Sequence, residues 1–305
     1  MIELILALIL IFAPIARGAV NIWAYSAIYM LILVAFLVCI FKYPTHGEVR
    51  IRRTPLYIPI LLFFILSLVT IFRSSYFYGS VMEIIKFINL ALIFYIVVNF
   101  IIDEKQIKKT LNLILIISTA IALFGILQYL NIVDKSWWDN PKFLSATYVN
   151  NNHFAGLMEL VIPLSIGMVL IEQDAGRRSL YIYSLLILFS AFLLSMSRGG
   201  WFFLSVSIFF MSVIIIKRGK ARFIFFMAIL LFIVIGVFIT KAVDISLLLK
   251  RLYSYGELDF EGRLEMWKGA IGIIKNNWLL GTGPGTFVYN FPKYRAGFKI
   301  GRAHV

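Results

Sequence analysis

The chain has 305 residues, of which 61% are hydrophobic and only 14% charged, and its formal net charge is +14. With a mean hydropathy of +0.92, it lies outside the range of soluble globular domains and reads as a polytopic membrane protein. Its lone cysteine, Cys39, sits inside an apolar run. That excludes a disulfide framework or a cysteine-based metal site and leaves a small buried or lipid-facing hydrophobe.

In a soluble protein the positive charge would suggest nucleic acid. Here the lysines and arginines cluster in short loops, so membrane topology and anionic lipid account for them and no nucleic-acid partner is implied. A spanning helix needs about 20 mostly apolar residues. Such runs occur at 2–16, 19–41, 56–72, 81–102, 110–130, 153–171, 179–197, 200–216 and 222–240. They predict an all-α integral membrane protein with about nine transmembrane helices. Two of the runs, 2–16 and 200–216, are short for a full span. Ile2 to Ile15 has the length of a signal-peptide core, but it lacks a basic leader and another apolar run follows directly, so it reads as a retained first helix.

Basic residues set the orientation. One set of alternate loops holds Lys42, Arg50, Arg52, Arg53, Lys105, Lys108, Lys109, Arg177, Arg178, Lys217, Arg218, Lys220 and Arg222. The other holds Arg17, Arg73, Lys135, Lys142 and Arg198. The richer set belongs in the cytoplasm, which puts the N-terminus inside and the segment after the ninth run outside. The expected organisation is N-terminal transmembrane helices over 1–109, a transmembrane core over 110–240, an extracytoplasmic loop over 241–299 and a tail over 300–305.

Four polar features then fall on the outer side. The first is the outer half of the fourth helix, where Glu83 and Lys86 share a face as an i,i+3 pair. They read as a structural ion pair near the interface, with Lys86 also a candidate for substrate binding. The second is the 131–152 loop. Its Trp137-Trp138 pair suits either an interfacial belt or stacking on sugar rings, so Trp138 is a candidate contact. Asn150 suits a helix cap, while Asn152 and His153 are candidates to face an outer cavity. Just beyond, in the sixth helix, Glu159 is an intramembrane carboxylate with no sequence-local partner, and such a group is functional or paired with another helix.

The third feature, Ser197-Arg198-Gly199-Gly200-Trp201, reads as a turn between helices. It places a guanidinium at the outer surface beside glycines that permit close backbone approach. Arg198 suits phosphate oxygens, or simple snorkelling at a helix end. The fourth is the 241–299 loop, the longest stretch that could not sit in a membrane. Within it Glu261 to Trp278 has helical periodicity, with Leu264, Trp267, Ile271, Ile274 and Trp278 as an apolar stripe opposite Glu261, Glu265, Lys268 and Lys275, and Asp259 as candidate N-cap. This is an amphipathic helix for the outer membrane surface. Arg263 near its start runs against the helix dipole, which favours a functional role. Arg295, late in the loop, is a further candidate contact. Gly281-Thr282-Gly283-Pro284-Gly285 lacks the preceding strand and following Lys-Ser/Thr of a phosphate loop and reads as a turn ending the helix. No zinc-ligand spacing or nucleophile elbow is present.

Three of these segments together resemble the O-antigen ligase and O-antigen polymerase superfamily: Ser197-Arg198-Gly199-Gly200-Trp201, Gly262-Arg263-Leu264-Glu265-Met266-Trp267, and Leu280-Gly281-Thr282-Gly283-Pro284-Gly285-Thr286-Phe287. Asn150 to Ala155 is similar to a further feature of that group. The resemblance covers about residues 110–299. It implies a metal-independent, cofactor-free membrane glycosyltransferase of the bacterial inner membrane. The reaction would move a glycan from an undecaprenyl-diphosphate carrier to a lipid A–core acceptor or another carrier-linked glycan, in lipopolysaccharide or surface polysaccharide biosynthesis. By motif matching Arg198 and Arg263 would bind and neutralise the diphosphate as the glycosidic bond breaks. Lys86, Asn152, His153, Trp138 and Arg295 would contact substrate.

The family's base is a His in an Ala-His-Asn context, and here His304 is followed by Val305. Ile300 to Val305 is what a common sequencing adapter encodes in one frame. The expectation is a non-native tail on a truncated chain, with His304 unassigned and this chain inactive. Two readings from other classes stay open. A transporter or flippase of lipid-linked glycans would need charges along a path through the helices, whereas here they gather on the outer side. A non-catalytic scaffold would not need both arginines.

Overall fold

The computed structural model describes residues 2–42, 52–135, 142–216 and 262–294. Eight helices account for most of the first 216 residues: α1 Ile2–Ile15, α2 Ile22–Lys42, α3 Tyr57–Ile71, α4 Phe77–Phe100, α5 Glu104–Tyr129, α6 Asn151–Ile171, α7 Ala175–Leu194 and α8 Arg198–Ile216. A further helix, α9, covers 262–276, and a short return follows as Phe287–Asn290 and Phe291–Tyr294. No strand occurs among the described residues. Eight of the nine apolar runs are thus helices, and the ninth, 222–240, lies outside the described residues, as does Asp259. Five helices (α2, α4, α5, α6 and α7) are long and apolar enough to cross a membrane, while α1, α3 and α8 are shorter. The chain is an integral membrane protein built of helices.

By contact the chain divides into two compact units, Met1–Val49 with Ile96–Val237, and Arg50–Tyr95 with Phe238–Val305. In the first, α6 is the central helix: half of its apolar window is buried, more than in any other candidate span. Phe154, Ala155, Met158, Val161 and Ile162 recur at helical spacing and bury against Leu115, Ile121 and Ala122 of α5, Leu185, Leu188 and Phe192 of α7, and Leu204 and Ile208 of α8. Between helices in lipid, close packing and polar contacts replace the hydrophobic effect as the source of association. One such contact is Tyr181 Oη donating to Asn112 Oδ1 at 2.8 Å.

The polar groups at the two ends of this unit differ in kind. At one end Gln106 Oε1 accepts from the Asp103 amide at 3.2 Å and its Nε2 donates to Glu3 at 2.8 Å. Lys109 reaches Glu3 at 3.2 Å and Lys108 reaches Glu172 at 2.8 Å. Asp174 caps α7 by accepting from the Arg177 amide at 2.9 Å. At the other end lie the 142–150 loop, the start of α6, the end of α7 and the start of α8. Leu144, Ser145 and Ala146 of that loop are buried, the Leu144 amide donates to the Leu194 carbonyl at 3.1 Å, and Thr147 Oγ1 donates to the Pro14 carbonyl at 2.7 Å. Basic loops and the Asn/Ser-Arg-Gly segments therefore occupy opposite ends of one bundle.

The second unit joins the α3–α4 hairpin to α9 and its return. Aromatic contacts line the hairpin, with Phe87 beside Phe63 at 4.8 Å between centroids. In the turn that follows α9, the Gly281 amide donates to the Asn277 carbonyl at 2.8 Å, with Gly281 at φ +66°. A left-handed glycine closes the turn after the helix, as the turn reading expects.

Candidate functional site

In the first unit, Asn150 caps α6: its backbone is extended and its side chain accepts from the Asn152 amide at 2.7 Å. Asn151 Nδ2 donates across to the Ser195 carbonyl at 2.8 Å. Ser195 is fully buried and Met196 holds a left-handed φ of +52°, so α7 ends in a tight corner. Arg198 opens α8 and does not lie in the turn itself. The residue before it, Ser197, works in two directions. Its Oγ accepts from the Gly200 amide at 3.2 Å and donates to Asn152 Oδ1 at 2.8 Å. A hydroxyl has one hydrogen, and here Asn152 Oδ1 takes it. The carboxamide Nδ2 of Asn152 is thereby left as the donor face of an exposed residue.

Arg198, Asn152 and His153 are all exposed at this end. The two glycines after Arg198 differ. A Cβ on Gly199 would meet nothing within 4 Å, whereas one on Gly200 would sit 3.1 Å from Ala155 Cβ, Glu159 Oε1 and Phe192 Cε2. Gly200 is therefore a packing residue, and the space beside Gly199 is open. Glu159 lies eight residues into α6, roughly 12 Å along its axis. Pro163, four residues on, has no N–H to give the Glu159 carbonyl. A carboxylate and a carbonyl without its helical donor thus belong to one residue, beside the start of α8.

In the second unit, Arg263 is the second residue of α9 and is exposed. Lys86 Nζ pairs with Glu83 Oε1 at 2.6 Å, both about half exposed. That is the ion pair the spacing predicts. The glycine motif packs on the α3–α4 corner: Ser80 Oγ donates to the Pro284 carbonyl at 2.7 Å, and a Cβ on Gly285 would fall 2.5 Å from Glu83 Cγ. The apolar stripe of α9 is exposed, with Trp267 at 58% and Trp278 at 77%, while the packed face is Gly269, Gly272 and Ile273. Trp138 and Arg295 lie outside the described residues.

The sequence assigned Ser197 to a motif without a role of its own and pointed to neither Ser80 nor Asn290. Ser197 carried a signal, since a serine three residues before Gly200 at a helix start is an N-cap pattern. Ser80 and Asn290 carried none, because their partners are 204 and 215 positions away.

Residues 183–303 match the profile of a family described as O-antigen ligase. Over that stretch the chain is similar to that family. The match covers less than half of the chain, and it contains all three motifs from which the resemblance was drawn, Ser197 to Trp201, Gly262 to Trp267 and Leu280 to Phe287. The Asn150 to Ala155 segment and the α3–α4 hairpin lie outside it. Neither a curated protein nor a solved structure matched the chain.

Proposed function

We propose that this O-antigen ligase-like protein is a nine-helix glycosyltransferase that moves a glycan from an undecaprenyl-diphosphate carrier to a lipid or glycan acceptor in the assembly of a surface polysaccharide. The acceptor hydroxyl attacks the anomeric carbon, the bond to the diphosphate breaks, and the diphosphate leaves carrying the charge. Cations aimed at that charge stabilise the transition state without a metal. Arg198 and Arg263 are each assigned that role, and Lys86, Asn152, His153, Trp138 and Arg295 are assigned to substrate contact. The hydroxyl proton needs a base, which no residue here is assigned.

One observation carries this reading beyond the family match. Ser197 ties the α6 start to the α8 start, which puts Arg198, Asn152 and His153 on one exposed rim of the bundle. A guanidinium, an oriented carboxamide and open backbone at Gly199 are hydrogen-bond donors suited to phosphate oxygens. Two observations support the proposed orientation, with the N-terminus cytoplasmic and the 241–299 loop extracytoplasmic. Among the described residues, Lys105, Lys108, Lys109, Arg177 and Arg178 lie at the opposite end of the bundle from this rim. The glycine motif of the loop also meets the 73–80 corner, which the charge count independently puts outside. The test is transfer of a labelled glycan from carrier lipid by the protein in proteoliposomes. Transport of the carrier-linked glycan across the bilayer with no transfer would select the flippase reading instead.

A further inference from the structure

We propose that Ser75, Ser80 and Asn290 form a latch that holds α9, and with it Arg263, on the α3–α4 corner, making them positioning residues for transfer. The inference rests on the glycan-transfer reading above and adds to it a part of the chain outside the family match. The latch begins with Ser80, fully buried, whose Oγ donates to the Pro284 carbonyl at 2.7 Å and lies 2.7 Å from Ser74 Oγ. The Ser75 amide donates to the Thr282 carbonyl at 3.3 Å. Asn290 Nδ2 donates to Ser75 Oγ at 2.7 Å and to the Thr286 carbonyl at 2.9 Å. Thr286, also fully buried, closes the loop on itself through the Thr282 and Gly283 carbonyls at 2.8 and 2.7 Å.

The approach is close enough to require glycine. Gly283 and Gly285 have φ of +94° and +69°, and a Cβ on either would fall 2.8 Å from Ser74 Cβ or 2.5 Å from Glu83 Cγ. Tyr76 and Tyr289 close the contact with ring centroids 4.4 Å apart. From the return the grip passes to α9. A Cβ on Gly269 would lie 2.6 Å from Phe291 and one on Gly272 2.9 Å from Tyr294, while Asn276 Nδ2 donates to Tyr294 Oη at 3.1 Å. The opposite face of α9 is exposed, so among the described residues the return and the latch set its direction. Buried, directional hydrogen bonds fix geometry in a way an apolar contact of equal area does not. A misplacement of about 1 Å in a catalytic group costs on the order of 100-fold in rate.

The test uses the protein in proteoliposomes, with kcat and donor KM measured for Ser80→Ala, Asn290→Ala, Arg263→Ala, Arg263→Lys and the doubles of each latch variant with Arg263→Lys. The expected result is a fall of about 10- to 100-fold in kcat for each latch variant, with donor KM little changed. Each double with Arg263→Lys should be no slower than its slower single, because groups acting as a unit are non-additive. Effects that multiply in the doubles, or losses that only track folded protein, would show a purely structural contact and overturn the proposal. Near-normal Ser80→Ala and Asn290→Ala beside an inactive Arg263→Ala would overturn the latch and leave the transfer reading standing. A near-normal Arg263→Ala would remove the transfer role itself. If the alanine variants fail to fold, Ser75→Cys with Asn290→Cys tests the geometry directly. Oxidation should cross-link the pair and preserve transfer, and no cross-link would contradict the latch.

Discussion

Replacing Gly200 with alanine isolates the packing that positions Arg198. In a helix interior, alanine is favoured over glycine by roughly 0.5–1 kcal/mol. Against that gain stands the room available. The new Cβ would lie 3.1 Å from three atoms at once, where carbon contacts settle near 3.5–4.0 Å. Glu159 can swing its carboxylate aside. Ala155 and Phe192 are both fully buried and sit on the two helices that enclose α8's first turn, so neither can yield without moving its helix. Overpacking of this kind costs about 1–3 kcal/mol, which exceeds the propensity gain. The net expectation is a loss of about 1–2 kcal/mol, roughly 5- to 30-fold in the folded-to-unfolded ratio. Gly199→Ala is the control, because open space there leaves the propensity gain unopposed. Thermal unfolding in nanodiscs, followed by tryptophan fluorescence, should place Gly200→Ala below wild type and Gly199→Ala at or above it. In transfer assays the order reverses in meaning: Gly199→Ala folds normally yet slows transfer by covering backbone a ligand approaches. A Gly200→Ala protein as stable as wild type would refute the reasoning.

Three more tests bear on the rim, the opposite end and the topology. Asn152→Asp keeps the oxygen that accepts from Ser197 but replaces the carboxamide donor with a negative charge, so donor KM should rise at least tenfold, a loss of about 1.4 kcal/mol. Unchanged KM would reduce Asn152 to a structural acceptor. Lys108's hydrogen bond holds the Glu172 carboxyl below its ordinary value of 4.5, with the Asp174 amide helping. A depressed folded pKa means the stabilisation is fully present above pH 4.5 and lost as pH falls through the folded value. The stability gap between wild type and Glu172→Gln should therefore be constant near neutrality and close in acid, and a gap that widened in acid would have the wrong sign. A cysteine placed at exposed Lys275 should react with an impermeant maleimide from outside, and one at Lys105 only after permeabilisation, with native Cys39 buried and silent. The reverse pattern would invert the assigned orientation.

Apolar runs located the helices because hydropathy reports what lipid and core both require, but they misplaced ends wherever a helix begins with polar residues. Helix α5 starts at Glu104, ahead of its apolar run, because Gln106 caps its first turn and the lysines there are helical as well as basic. Helix α7 likewise starts at Ala175, capped by Asp174. In α4, Gly79 and Ser80 hid a first turn that opens at Phe77. The amphipathic pattern of α9 was legible, and so was its apolar stripe, yet the face that packs in the structure is lined by Gly269 and Gly272. Hydrophobicity does not mark a glycine face, because it packs by letting an aromatic ring approach the backbone. The Glu83–Lys86 pair and the Asn150 cap were readable because their partners lie within one helical turn. The Ser197–Asn152 bridge and the Ser80–Pro284 contact were not, since pairing across 45 or 204 positions leaves no periodic trace. What the motifs offered was a set of residue types, and the fold supplied their neighbours.

The most direct test is glycan transfer from undecaprenyl-diphosphate carrier by the protein with Arg198→Ala or Arg263→Ala, at matched folded protein in proteoliposomes. Removing a preorganised charge stabiliser costs on the order of 100- to 1,000-fold in kcat. A loss of that size is expected for each variant, with little recovery by lysine at either position, because a point charge does not reproduce a bidentate fork on phosphate oxygens. Transfer at near wild-type rates by both alanine variants would contradict it.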